Sequence, residues 1–350
     1  MTTAFRLAGL LIAVAAPALP AIAEIDRLGR ACGAGREDAC AQLATLAGIA
    51  QPESIRQTAA RRLIQARRSG CASTGTDLRG AMDRRTVRLE TEYLFDHDLS
   101  PSRRAEIAAA GDRFASAALH TLGLVVAVDS GPADAVVRLT LVGSARAWLF
   151  TPERFDKSPQ RSENTVDGPA FVLYPDVAWE GAATVRVAGH CRSSEILRPD
   201  PPERRVLFGA PRRKQSEAPF RRDLETALAP VLLRLGKDLV GDQAVALMAT
   251  GADSQKLRQA ALAGLRDPGA LALVARNDSS DFLRWTAVGK LTDQAVLARA
   301  ARDDTSSLVR LAAVGKLNDP AALQEIARND ADPRVRSQAQ ARLASAGKLR

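Results

Sequence analysis

The chain is poor in the residues from which catalytic centres are usually built. It has three histidines, four cysteines, three methionines and two tyrosines in 350 residues, and aromatics make up 4%. Histidine is the side chain that changes charge near neutral pH and the commonest protein metal ligand, so little of that chemistry is available. No HExxH, glycine-rich phosphate loop, nucleophile elbow or CxxC occurs. Lysine is scarce beside arginine. After the first 23 residues no run reaches the ~18 apolar residues that a bilayer-spanning helix needs. With so few large aromatics, the core has to be built from Ala, Leu and Val, which favours closely packed helices.

What is present begins with a processing signal. Arg6 forms a short positive region, LAGLLIAVAAPALPAIA follows as an apolar stretch, and Ala21-Ile22-Ala23 fits the small-residue cleavage rule. Residues 1–23 therefore read as a signal peptide of bacterial type. Pro17 and Pro20 argue against a permanent membrane helix, and the expected location is periplasmic or secreted. Export makes disulfides possible for Cys32, Cys40, Cys71 and Cys191, with three pairings open. The net charge of +9 favours anionic partners such as acidic proteins, lipid headgroups or cell-envelope polymers; a basic surface with no dedicated ligand is the plainer reading. Export argues against nucleic acid.

Residues 24–80 read as short helices. Leu28, Ala31, Gly35 and Leu43 recur as Leu63, Ala66, Gly70 and Leu78, and Glu53 to Ala66 forms a helix after Pro52. The stretch LGRACGAGREDACAQLATLA resembles the cysteine-rich tetratricopeptide-like repeats of secreted bacterial proteins. In that family a C-x7-C pair joins the two helices of one unit, so the resemblance implies a Cys32–Cys40 disulfide. Cys71 and Cys191 then either pair across domains or stay as free buried thiols.

Residues 84–239 switch to period two. TVRLETEYLF alternates Val87, Leu89, Thr91 and Tyr93 against Arg88, Glu90 and Glu92, as a half-buried strand does. Ser100-Pro101 opens a helix that ends near Gly123. The stretches LVVAVD, DAVVRLTLVG, FVLYP, AWEGAATVRVAG, SEILRP and RRVLFG read as further strands, and Ala218 to Leu239 as a closing helix. The expectation is an α+β unit, a mostly antiparallel sheet with two packed helices. Its element order resembles the small docking domains of bacterial envelope proteins, such as the N-terminal domain of the Tol-system periplasmic protein. By fold-level analogy this implies a docking module.

Residues 240–350 carry a repeat. LRQAALAGLRDPGALALVARND, LRWTAVGKLTDQAVLARAARDD and VRLAAVGKLNDPAALQEIARND begin at Leu257, Leu283 and Val309, 26 residues apart. Asp267-Pro268, Asp319-Pro320 and Asp332-Pro333 put a carboxylate at a helix N-cap and proline in the first turn. Each unit therefore holds two helices of roughly nine or ten residues, which hide their apolar faces only by stacking. At the last repeat Gln340 replaces Val288 and Val314, and Ser337 replaces Trp285 and Leu311, as in a capping unit. LVGDQAVALMATGADS reads as a worn half-unit joining the array to the α+β segment. The units resemble short HEAT-like repeats, which implies a right-handed α-solenoid used for protein–protein contact.

Arg258, Arg284, Arg310 and Arg336 recur at the repeat spacing, as do Arg276, Arg302 and Arg328 and Asp278, Asp304 and Asp330. Such a ladder could grip an acidic partner. The matching aspartates favour a structural use instead, with Asp capping the next helix and Arg binding loop carbonyls. Lys290, Lys316 and Arg342 have no acidic match and are the better candidates for a partner surface. Trp285 stands where other repeats have Leu or Ser and reads as packing or, if exposed, as an interface hot spot.

Three other stretches bear on chemistry. ETEYLFDHD offers Glu90, Glu92, Asp96, His97 and Asp98 as oxygen-rich ligands for calcium or manganese, or simply a polar strand face followed by a turn. His190-Cys191 fails as a dyad because strand neighbours face opposite ways, and His120 sits near a helix end. The run from Arg204 to Arg222 holds Arg204, Arg205, Arg212, Arg213, Lys214, Arg221 and Arg222, with Phe208 and Phe220 among them. It is a candidate anion contact or a solvated loop. The expected function is a non-catalytic exported scaffold or adaptor that binds a protein partner through the repeats, with no cofactor. Binding of an anionic envelope polymer or lipid through the basic run is the alternative, and an enzyme or metal protein using the α+β unit a lesser one.

Overall fold

The computed structural model describes residues 22–48, 51–71, 78, 85–95, 100–127, 132–146, 176–196 and 218–347. Among these, thirteen helices and one five-stranded sheet make an α+β fold that ends in a run of helices. The signal-peptide reading up to residue 21, the FVLYP and RRVLFG strands, and Asp96, His97 and Asp98 lie outside the described residues.

Three helices come first: α1 (Ile22–Gly33), α2 (Glu37–Leu46) and α3 (Glu53–Ser69). Ile25, Leu28, Leu43 and Leu63 form their shared core. Gly35, with φ +90°, makes the tight turn between α1 and α2. A Cys32–Cys40 disulfide bridges those two helices with the Cα atoms 4.8 Å apart.

The sheet contains β1 (Thr86–Phe95), β2 (Val125–Val126), β3 (Ala135–Arg146), β4 (Asp176–Val187) and β5 (His190–Ile196) in the order β2-β1-β3-β4-β5. It is mixed rather than mostly antiparallel: β1 runs parallel to both β2 and β3, while β3-β4 and β4-β5 are antiparallel. The cause is α4 (Pro101–Thr121), which carries the chain back along β1 so that the next strand starts from the same end. Ser100 caps α4 by accepting from the Arg103 N–H at 3.3 Å. The β4-β5 hairpin closes through Ala188 and Gly189, both at positive φ (48° and 83°), as a two-residue primed turn requires.

Both faces of the sheet are covered. Odd-numbered residues of β1, β3 and β4 face α4 and α5 (Ala218–Val240), and Val87, Leu139, Leu141, Trp179 and Val185 are buried there. Trp179 packs edge-on to Phe95 at 5.8 Å. It lies over its cross-strand neighbour Gly143, where any Cβ would strike the indole. Even-numbered residues face α1–α3, with Val142 and Ala182 buried in that core. Glu90 and Glu92 therefore do not share a solvent face. Arg138 pairs with Glu90 at 2.6 Å and with Glu37 of α2 at 2.7 Å, and Glu92 accepts from Thr140 and lies 3.8 Å from Arg67 of α3. These ion pairs lie between the sheet and the helical layer, and they occupy Glu90 and Glu92, the two candidate metal ligands among the described residues.

A second disulfide, Cys71–Cys191, ties the end of α3 to the edge strand β5, with Cα atoms 5.1 Å apart. Cys191 is therefore no free thiol for a dyad with His190. The bridge closes a separation of 120 residues, long enough to restrict the unfolded chain strongly. Replacing Cys71 and Cys191 by Ser should lower unfolding stability by about 2–4 kcal/mol in denaturant titration. Non-reduced peptide mapping should recover the Cys71–Cys191 link from the wild-type chain.

From α5 the chain enters two rows of helices. One row holds α7 (Gln255–Gly264), α9 (Asp281–Lys290), α11 (Ser307–Lys316) and α13 (Pro333–Gly347), whose starts are 26 residues apart. The other holds α6 (Gln243–Gly251), α8 (Pro268–Asn277), α10 (Gln294–Asp303) and α12 (Pro320–Asn329). Each helix packs against its pair-mate and the next member of its own row, and α5 packs on α4, α6, α7, β4 and β5. Ala261, Ala287, Ala313 and Ala339 are fully buried at one register of the repeat. One apolar core runs unbroken from the sheet through α5 to Ala339.

Candidate interaction surface

The repeats carry two polar systems and two open apolar surfaces, all fixed by the 26-residue spacing. The first polar system is an Arg–Asp ladder. Arg258, Arg284 and Arg310 each donate to the aspartate 20 positions on: Asp278 at 2.7 Å, Asp304 at 2.8 Å and Asp330 at 2.8 Å. A second guanidinium nitrogen reaches back to the preceding loop. Arg284 donates to the Asp278 carbonyl, Arg310 to that of Asp304 and Arg336 to that of Asp330. Each aspartate also accepts from the N–H two residues on, at Ser280, Ser306 and Asp332, and so organises the start of the next helix. Arg284 is 11% exposed and Asp304 5%. This arginine row is occupied inside the protein and does not offer itself to a ligand.

The second polar system absorbs the three cations that sequence reasoning assigned to a partner. Lys290 donates through Nζ to the Leu262 and Ala263 carbonyls at 2.6 and 2.7 Å. Lys316 does the same to Gly289 at 2.6 Å, and Arg342 donates to the Leu317 carbonyl at 3.0 Å. Each adds a donor to carbonyls at the end of the helix one repeat back, where the intrahelical ladder runs out. Their acceptors are backbone oxygens and, for Arg342, also the Asn318 side-chain oxygen at 2.7 Å, none of them acidic, which is why no acidic match appears in the sequence.

Trp285 is only half-buried. It is 46% exposed and stacks on Phe282, itself 49% exposed, with ring centroids 5.9 Å apart. Leu308 on α11 is 56% exposed and stands at the register of Phe282 one repeat on. The register before Phe282 holds Lys256 and the one after Leu308 holds Arg334, so the apolar patch is confined to α9 and α11. Sequence reasoning named Trp285 but missed Phe282 three positions earlier, although residues three apart share a helix face.

On the opposite row a groove of about 720 Å³ lies between α8 and α10, lined by Leu273, Val296, Arg276, Arg299 and Arg302 among others. Of the basic run, Arg221 and Arg222 fall in the first turns of α5, while Arg204, Arg205, Arg212, Arg213 and Lys214 lie outside the described residues.

Among the described residues no group of three His, Cys, Asp or Glu side chains is placed to hold a metal ion, and no helix is long and apolar enough to cross a membrane. His120 ends α4 at the surface. The chain matches no family model, no curated protein and no solved structure.

Two outcomes test the ladder. Removing one member of a nearly buried ion pair leaves the other charge uncompensated, so Arg284→Met should lower unfolding stability by about 3 kcal/mol in denaturant titration; a change near zero would mean that the pair is absent in solution. The carboxylates also set an acid limit. The hydrogen bond from Arg310 lowers the pKa of Asp330, and bonds from the backbone N–H and guanidinium of Arg334 lower Asp332 from 3.8 to about 2. A group depressed on folding adds stability that is complete above its unfolded pKa and fades as pH falls through its folded one. Urea midpoints should therefore drop between pH 3.8 and about 2, and Asp332→Asn should make that drop shallower.

Proposed function

We propose that this chain is a non-catalytic, exported scaffold or adaptor whose C-terminal repeats, HEAT-like in spacing, dock a protein partner on the α9–α11 surface. The observation that carries this reading is the stacked Phe282–Trp285 pair, with Leu308 at the Phe282 register of the next helix in the row, all exposed. Aromatic side chains are common anchors of protein interfaces, where a few residues supply most of the affinity; here two of them stack on one helix, α9. The rest of the repeat supports the same view from the other side. Its arginine ladder and its lysine caps are satisfied within the array, so these two aromatics are surface features that folding does not require. Export is supported by the pairing of all four cysteines in two disulfides, which suits an oxidising compartment.

The test is site-specific photo-crosslinking in cells, with a benzophenone amino acid at position 308 of the tagged chain. A discrete protein adduct is expected. It should vanish, or its affinity fall by at least about 30-fold, in the Phe282→Ala/Trp285→Ala variant, whose thermal unfolding should match the wild type. An adduct of undiminished strength in that variant would remove the aromatic pair from the interface and with it this assignment.

A further inference from the structure

The groove on the α8–α10 side differs in chemistry from the aromatic patch and lies on the other row of helices. Its floor is small and apolar: Ala272, Ala295 and Val296, with Leu273 44% exposed. Leu247 on α6 occupies the register one repeat before Leu273 and is also exposed. One repeat further on, that register becomes Arg299. The rim is cationic, with Arg276 and Arg302 at equivalent ends of α8 and α10.

The acidic groups around the groove neutralise this rim only in part. Asp304 is committed to Arg284 within the ladder. Asp303 lies 4.0 Å from Arg299, an exposed and weak pair. Arg302 forms an exposed ion pair with Glu325 at 2.8 Å, and among the described residues Arg276 donates to the side chain of its neighbour Asn277. The surface therefore grades from exposed leucine at α6 and α8 to guanidinium at α8 and α10.

We infer that this groove binds an acidic peptide segment bearing apolar side chains, which contact Leu247 and Leu273 while its carboxylates reach Arg276, Arg299 and Arg302. Guanidinium favours carboxylate through paired, charge-assisted hydrogen bonds, and the leucines reward an apolar neighbour. Adjacent helices lie ~8–10 Å apart, so α6 to α10 is spanned by about six extended residues at ~3.3 Å each. The inference rests on the scaffold reading for its context but uses neither Phe282 nor Trp285.

The experiment pans a random 12-residue peptide library against the full mature chain. Recovered peptides should be rich in Asp and Glu interspersed with Leu, Ile or Phe. As purified peptides they should bind about tenfold or more weakly to Arg276→Glu/Arg299→Glu, bind more weakly to Leu273→Ser, and lose affinity as salt rises. They should bind Trp285→Ala as they bind the wild type. No enrichment, peptides without an acidic excess, or equal binding to the charge-reversed variant would overturn the inference. Loss of binding in Trp285→Ala alone would place those peptides on the aromatic patch and also overturn it. Because the two sites lie on different rows, failure here leaves the cellular adduct at position 308 as a separate result.

Discussion

A ten-residue helix is too short to hold its own shape in water, and most of the C-terminal third of this chain is made of such helices. Their stability has to come from burial against neighbours, and the neighbours need an anchor. α5 provides it. One side of that helix lies on β4 and β5 and on α4, and another receives α6 and α7. The apolar core can therefore pass from a sheet into a stack of helix pairs without a break. The alanines of the buried register let the helices come close enough for that stack to be dense, and the arginine of each unit then fixes its position by holding the aspartate of the next loop and the carbonyl of the previous one.

The same economy explains the front of the molecule. The three N-terminal helices would make a small domain with few buried side chains, but they are closed by one disulfide, fastened to β5 by another and seated on the even-numbered face of the sheet. Polar residues between those layers pair with each other. The sheet is thus buried on both sides, as its parallel strands require.

Several of these features were legible in the residues. The 26-residue period set the helix starts, and Asp267, Asp319 and Asp332 cap helices where the Asp-Pro pairs place them. The Cys32–Cys40 pair, implied by the repeat resemblance, is formed. Period two located β1 and β3 but could not report the direction of pairing, because alternation is the same in parallel and antiparallel ladders. Glu90 and Glu92 looked solvated because a carboxylate paired with an arginine of another layer has the same letter as one facing water. Lys290 and Lys316 looked unpartnered because backbone carbonyls leave no mark on a sequence. Trp285 was ambiguous alone and becomes clear only when Phe282, one turn earlier, is found stacked on it.

The two ends of the helical stack are unlike. At the first end α6 and α7 share a core with a five-stranded sheet, while at the last described helix Gln340 presents a polar side chain at the position where inner repeats bury Val288 and Val314. Local opening should therefore be polarised, with α13 exchanging its amides soonest and each unit toward α5 opening less often. The aromatic pair on α9 sits between these extremes. A partner clamped across α9 and α11 would hold shut the half of the stack that opens most readily, so occupancy would be felt as a slowing of exchange far from the contact itself.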